Sequence, residues 1–261
     1  MTQIVFRTFL ILIALIFQSV SANANDGKWI SLFNGENLDG WTPKFVGHQA
    51  GVNYKDTFIV KRGIFTVSYE NYDKFDRNFG HIFYKQKFSH YILKLEYRMR
   101  GSQTPGGPSW GIRNNGIMVH SQSAESMEID QPFPRSIEVQ LLNGIATGET
   151  TNGNLCTPGT HVEIGGELIT RHCINSNSMT NRGEDWIKVE VEVRGNQVIR
   201  HKINDIQVME YQHPQIDAMD DETPVKDLPH LTPLTEGYIA LQAESHPTEF
   251  RNIMLLNLEE K

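Results

Sequence analysis

Short segments of alternating apolar and polar residues run through almost the whole chain. This pattern constrains the fold more than any other feature, because period-two alternation is typical of a β-strand that buries one face. No window carries a helical stripe over more than two turns. The chain is therefore predicted to be all-β, either a sandwich or a barrel. The predicted strands cover residues 29–33, 58–60, 64–68, 81–84, 91–99, 116–120, 136–142, 186–194, 197–203, 206–210, 238–243 and 250–258.

The first 24 residues have the layout of a secretory signal peptide. Arg7 precedes the apolar run 9–17, and Ala22-Asn23-Ala24 has the small-residue pattern of a cleavage site. A membrane anchor is the alternative, but a spanning helix needs about 20 apolar residues. We therefore expect cleavage after Ala24, a secreted or periplasmic protein, and no membrane attachment after cleavage.

The remaining residues, 25–261, contain no linker or internal repeat that would divide them, so one domain with a sizeable core is expected. The formal net charge of the chain is −7. An acidic surface disfavours nucleic acid and anionic membranes as partners. The sequence leaves the oligomeric state open.

The chain contains two cysteines, Cys156 and Cys173. Export would place them in an oxidising compartment, so we predict that they form a disulfide. Two free buried thiols are the alternative, and neither the spacing nor the neighbouring residues suggest a zinc site.

Three segments, 101–115, 144–183 and 212–236, are too long and irregular to be simple turns. Long connections in a compact domain are usually functional or disordered. The acidic run 220–222 in the third segment is expected to be a solvated loop, because no further ligand spacing around it supports a calcium site.

The segment 136–142 predicts one strand with two different faces. Ile137, Val139 and Leu141 lie on one side, whereas Glu138 and Gln140 point the other way. An exposed strand face is the ordinary explanation for the polar pair. Two other segments, 116–120 and 238–246, repeat the arrangement and would bring His120, Gln242, Glu244 and His246 to the same face.

Several stretches resemble the DUF1080 family, also called the 3-keto-disaccharide hydrolase domain. They are WISLFNGENLDGW at 29–41, YILKLEYR at 91–98, Asn115-Gly116-Ile117, IEVQL at 137–141 and GYIALQAESHPTEFRNI at 237–253. The resemblance spans nearly the whole chain after the signal peptide. It implies a concanavalin A-like jelly-roll β-sandwich of two antiparallel sheets in an exported protein, with a carbohydrate as its substrate.

The same resemblance, with strand parity, selects the candidate site residues. Glu138, His120 and His246 are the candidate catalytic residues. The candidate substrate-binding residues are Gln140, Glu244, Arg113, Gln242 and Trp110. A divalent cation held by His, Glu and Gln side chains would be chemically reasonable, although no spacing demands one.

Three functions remain open on these residues. The first is cleavage of 3-keto glycosides, in which a base removes the acidified C2 proton and the C1–O bond breaks. The second is a conventional glycosidase that uses Glu138 and Glu244 as its two carboxylates. The third is a non-catalytic lectin or carbohydrate-binding module, since fold alone does not separate binding from catalysis.

Overall fold

The computed structural model describes residues 28–220, 223 and 228–258. No α-helix occurs in these ranges, and the only helical segments are single 3₁₀ turns at Tyr54–Asp56, Ser109–Gly111 and Ala124–Ser126. The strands, numbered in chain order, are β1 (Trp29–Ser31), β2 (Trp41–Phe45), β3 (Phe58–Lys61), β4 (Ile64–Val67), β5 (Gly80–Tyr84), β6 (His90–Met99), β7 (Asn114–Ser121), β8 (Ile137–Leu142), β9 (Asn154–Cys156), β10 (Thr160–Ile164), β11 (Glu167–Ile169), β12 (Cys173–Ile174), β13 (Ile187–Arg194), β14 (Val198–Ile203), β15 (Ile206–Ile216), β16 (Tyr238–Ala243) and β17 (Thr248–Asn257).

These strands form two antiparallel sheets. The larger sheet has ten strands in the order β11-β10-β15-β14-β13-β6-β17-β4-β3, with β1 paired to β17. The smaller sheet has seven strands in the order β12-β9-β8-β7-β16-β5-β2. The predicted all-β sandwich of two antiparallel sheets is confirmed.

The core lies between the sheets and receives one face of each strand. On β8, Ile137, Val139 and Leu141 are fully buried in it, as their alternation predicts. Ile117 and Val119 of β7 and Leu241 of β16 join the same apolar cluster. The opposite face of the seven-stranded sheet is therefore free to carry polar side chains.

Strand prediction failed where segments are short or interrupted. Residues 144–183 were expected to be one irregular loop, but they contain β9, β10, β11 and β12, which extend both sheets. These strands have two to five residues, too few for an alternation to be recognised. β2 was missed because Pro43 interrupts it, and an edge strand such as β2 tolerates proline.

The predicted disulfide between Cys156 and Cys173 is confirmed. The two residues are direct partners in the β9–β12 pair, 17 positions apart in sequence. The bond therefore fixes the short strand β12 to the edge of the seven-stranded sheet.

Removing this disulfide should cost stability. For Cys156→Ser/Cys173→Ser we expect a loss of about 3 kcal/mol in the free energy of unfolding, because a closed loop of roughly this length restricts the unfolded chain by that amount. Urea denaturation of the oxidised wild type and the double variant measures the difference. Reduced wild type is the control and should match the variant; a change in the variant below about 0.5 kcal/mol, the scale of a neutral surface substitution, would contradict the prediction.

The predicted signal peptide lies outside the described residues. Within those residues, no helix is long and apolar enough to cross a membrane.

Candidate functional site

A cleft of about 700 Å³ opens on the outer face of the seven-stranded sheet. Its floor comes from β8 and from the residue after β16, which place Glu138, Gln140 and Glu244 together. Its walls come from the loops around 106–110, 132–133, 158 and 172–173. The structure thus brings together three of the residues that strand parity assigned to one face.

A row of polar residues crosses this sheet at one level. Strand register pairs Asn154 with Gln140, Gln140 with Gly116, Gln242 with His81, and His81 with Lys44. Side chains at paired positions of adjacent strands lie on the same face. The row therefore forms a polar layer beneath and beside the cleft, on the side of the sheet away from the core.

Gly116 is the gap in this layer. A Cβ atom at this position would lie 2.6 Å from Oε1 of Glu138 and 3.0 Å from Oε1 of Gln242. Both distances are shorter than ordinary contacts of a Cβ atom, so glycine lets the carboxylate and the carboxamide approach the strand here without a shift of either side chain. The glycine thereby brings Glu138 and Gln242 to one point.

Glu138 and Glu244 are both buried, at 7% and 3% exposure, although they line the cleft. Burial raises the pKa of Glu138 to about 8. Burial also raises the pKa of Glu244 well above its usual range, and the nearby charge of Glu138 raises it further. The two carboxyl groups therefore titrate as a pair, in which the first proton is lost near pH 8 and the second is held to higher pH.

Several buried polar atoms around the pair have no hydrogen-bond partner among the described residues. They are Oε2 of Glu244, Oδ1 of Asn114, both amide atoms of Gln242 and both ring nitrogens of His81. Burial lowers the pKa of His81 to about 3, so its imidazole is neutral. Such groups are rare in folded proteins, and their concentration here is typical of a site that binds a polar ligand.

Aromatic rings form one wall of the cleft. Trp110 stacks on Phe79, with ring centroids 5.7 Å apart and planes within 8°, and Phe133 packs 5.1 Å from Phe79. Trp110 keeps 52% of its surface exposed despite this stacking. An exposed aromatic face beside buried polar groups is a suitable platform for the apolar face of a sugar ring.

Two predicted site residues, Arg113 and His246, lie together but do not line the cleft. The backbone N–H of Arg113 donates to Nδ1 of His246 at 3.2 Å, and its guanidinium donates to the carbonyl of Gly183. Burial, followed by the charge of Arg113, lowers the pKa of His246 to about 4. His246 is therefore neutral and fixed beside the cleft-lining segment that contains Glu244.

His120 does not reach the face that parity assigned to it. Its Nε2 hydrogen-bonds the carbonyl of Gly195 in the β13–β14 turn of the other sheet, at 2.8 Å. Its backbone has a φ of 50°, and the pairing of β7 with β16 shifts register between Tyr238 and Ala240. This irregularity breaks the alternation, so the prediction that His120 lies beside Glu138 is wrong.

The cation considered for His, Glu and Gln ligands has no matching cluster in the cleft. Glu138, His120 and His246 do not converge, and the described residues offer no group of three or more His, Cys, Asp or Glu ligands there.

Sequence reasoning also missed cleft residues from other segments: Asn114, Arg77 and His172 line the cleft, and His81 lies in its polar layer. His81 alternates within its strand segment and could have been found by parity; the others lie on loops or at a strand end, where no periodicity exists.

Two solved structures with the same fold are from Parabacteroides distasonis, and both are described as candidate glycosyl hydrolases. The first is 17% identical, covers 88% of this chain and 100% of its own, and has a TM-score of 0.53. The second is 16% identical, covers 89% and 94%, and has the same TM-score. At such identities the likeness establishes the fold only.

No curated protein matches the chain. A family model does match it, over residues 28–256, and its description is a 3-keto-alpha-glucoside-1,2-lyase-like domain. The match includes every strand that forms the cleft, together with Glu138 and Glu244. The chain therefore belongs to the family of 3-keto-alpha-glucoside-1,2-lyase-like domains.

Proposed function

We propose that this protein is an exported enzyme that cleaves the glycosidic bond of 3-keto glycosides by elimination across C1 and C2. The observation that carries the proposal is the buried carboxyl pair, Glu138 and Glu244, on the floor of a cleft with an aromatic wall. Membership of a 3-keto-alpha-glucoside-1,2-lyase-like family supports a 3-keto glycoside as the substrate class.

The first step is proton removal. A ketone at C3 acidifies the C2 proton, and the carboxylate of Glu138 takes that proton as a general base. A base works best when its pKa lies near the working pH, and burial raises the pKa of Glu138 to about 8. Negative charge develops on the C3 oxygen, where neutral donors such as the amide of Gln242 stabilise it.

The second step is departure of the leaving group. As the C1–O bond breaks, its electrons pass to the leaving oxygen, and the C1=C2 double bond forms. Protonated Glu244 donates its proton to that oxygen, which suits a carboxyl group whose pKa is raised by burial and by its neighbour. The products are an unsaturated 3-keto sugar and an alcohol; water added across the double bond would complete a net hydrolysis.

A conventional glycosidase is the second candidate, because it would use the same two carboxyl groups. A retaining enzyme of that kind needs one carboxylate that stays ionised as the nucleophile. A pKa of about 8 for Glu138 suits a group that takes up a proton during the reaction better than one that must stay ionised as a nucleophile. A lectin is a third candidate, although binding of a neutral sugar gives no reason to bury two coupled acids.

One assay distinguishes the three. The purified protein is incubated in D₂O with a 3-keto glucosyl disaccharide and, separately, with its unoxidised parent, and both reactions are followed by NMR. We expect cleavage of the 3-keto substrate with loss of the C2 proton signal and no cleavage of the parent. Cleavage of the parent at a comparable rate would identify a conventional glycosidase, and binding of both sugars without turnover would identify a lectin.

A further inference from the structure

A second cluster of chemically active side chains lies outside the cleft. His161 belongs to β10, Asp217 follows β15 directly, and His230 lies in the connection to β16. We propose that these three residues bind a divalent transition metal, with Zn²⁺ as the best match, and that the metal fixes the adjacent wall of the cleft. This site does not depend on the reaction proposed above.

The geometry fits a tetrahedral ion. Nε2 of His161 lies 3.3 Å from Oδ2 of Asp217, and Nδ1 of His230 lies 3.6 Å from Oδ1 of the same carboxylate. Each of the three residues offers one ligand atom, and these atoms all lie within 4.8 Å of one another. Zinc bonds of 2.0–2.1 Å in a tetrahedron separate neighbouring ligands by about 3.3 Å, so the two contacts to Asp217 are close to the required spacing and the widest pair would close by at most about 1.5 Å.

The donor set favours zinc over calcium or magnesium. Two imidazoles and one carboxylate suit Zn²⁺ and its neighbours in the first transition series, whereas calcium and magnesium prefer ligands that are all oxygen. His161 is only 7% exposed, and its Nδ1 has no hydrogen-bond partner among the residues that the structure describes. Its buried imidazole therefore depends on the cluster for its polar contacts.

The carboxylate is held in place by the backbone. Oδ1 of Asp217 accepts from the N–H of Met219 at 2.9 Å, and the N–H of Asp217 donates to the carbonyl of Gly159 at 2.9 Å. Such supporting contacts orient a ligand before the metal arrives. The N–H of Ala218 also donates to Nδ1 of His230 at 3.3 Å, a long contact that a metal would replace.

The metal would join β10, the end of β15 and the connection before β16, all of which lie next to the cleft. Gly159 donates to Oδ2 of Asp220, and Oδ1 of the same side chain accepts from the N–H of Thr223. Thr223 lines the cleft, and so does Pro158, the neighbour of Gly159. A Zn²⁺ ion at His161, Asp217 and His230 would therefore connect the segment that carries Pro158 to the segment that carries Thr223.

The test is zinc binding by the full chain, purified without a polyhistidine tag. The protein is stripped with EDTA, loaded with ZnCl₂ and dialysed, and bound zinc is counted by mass spectrometry. Melting temperature is measured with Zn²⁺, with Ca²⁺ and without metal. We expect one tightly held Zn²⁺ per chain and a rise in melting temperature with Zn²⁺ alone, because a ligand that binds only the folded state stabilises it.

His230→Ala removes a partly exposed ligand, so the variant should fold. Loss of a residue that only orients a metal ligand lowers metal affinity by about 10–100-fold. Loss of the ligand His230 itself should lower the zinc affinity by at least this much. The matched control is His213→Ala, which removes an exposed histidine paired with Glu163 instead; this variant should bind zinc like the wild type. Three results would overturn the proposal: no zinc retained by the wild type, equal zinc affinity in His230→Ala, or an equal rise in melting temperature with Ca²⁺. Absence of zinc from the wild type would mean that the cluster is held by hydrogen bonds alone.

Discussion

Glu138→Gln is expected to lower kcat/KM on a 3-keto glycoside by about 10²–10⁴-fold, the usual contribution of a general base. The substitution keeps the shape of the side chain and removes only its basicity. In the wild type, kcat/KM should rise with pH as the pair loses its first proton, with an apparent pKa near the value of about 8 for Glu138. The variant should lose this rise.

The same variant should be more stable than the wild type above neutral pH. The folded state keeps the proton of Glu138 up to a pKa of about 8, whereas the unfolded chain releases it near the ordinary value of 4.5. Unfolding therefore releases a proton between these values, and the wild-type free energy of unfolding falls as pH rises through this window. Glutamine removes the contribution of Glu138 to that dependence, and the contribution of Glu244, whose pKa is also raised by burial, remains.

Urea denaturation at pH 5 and pH 8, together with kinetics, tests both effects. Glu149→Gln, at an exposed position outside the cleft, is the control and should change neither quantity. Activity within about threefold of the wild type, far short of a general-base contribution, would mean that Glu138 is not the base.

Glu244→Gln should produce a loss that depends on the leaving group. We expect about 10²–10⁴-fold lower kcat on a 3-keto disaccharide, because its sugar alkoxide needs a proton from a general acid. A 3-keto glucoside with a p-nitrophenolate leaving group needs no such proton and should lose far less. This dependence separates an acid from a residue that merely shapes the cleft.

Parallel kinetics on the two substrates measure this difference, and Glu138→Gln is the matched control. Loss of the base should impair both substrates, since the C2 proton must be removed in each. Equal losses on both substrates in Glu244→Gln would contradict its assignment as the acid and would favour a role in positioning the substrate.

Alternation in the sequence was sufficient to predict the sandwich and part of the cleft. Ile137, Val139 and Leu141 point into the core, so Glu138 and Gln140 must point away from it. The same parity placed Gln242 in the polar layer beneath the cleft. These predictions succeeded because the side chains of a regular strand alternate strictly between two faces.

Tertiary structure alone decided the remaining features. His120 leaves its expected face because its own φ is positive and the pairing of β7 with β16 shifts register nearby. Together these irregularities break the alternation on which the prediction depended. Asn114 and Thr223 reach the cleft from a strand end and from a loop, for which the sequence has no period. Burial raises the pKa of both Glu138 and Glu244, and the charge of Glu138 raises that of Glu244 further. Both effects arise because β8 and β16 flank β7 in one sheet, although the two residues lie more than a hundred positions apart in the chain.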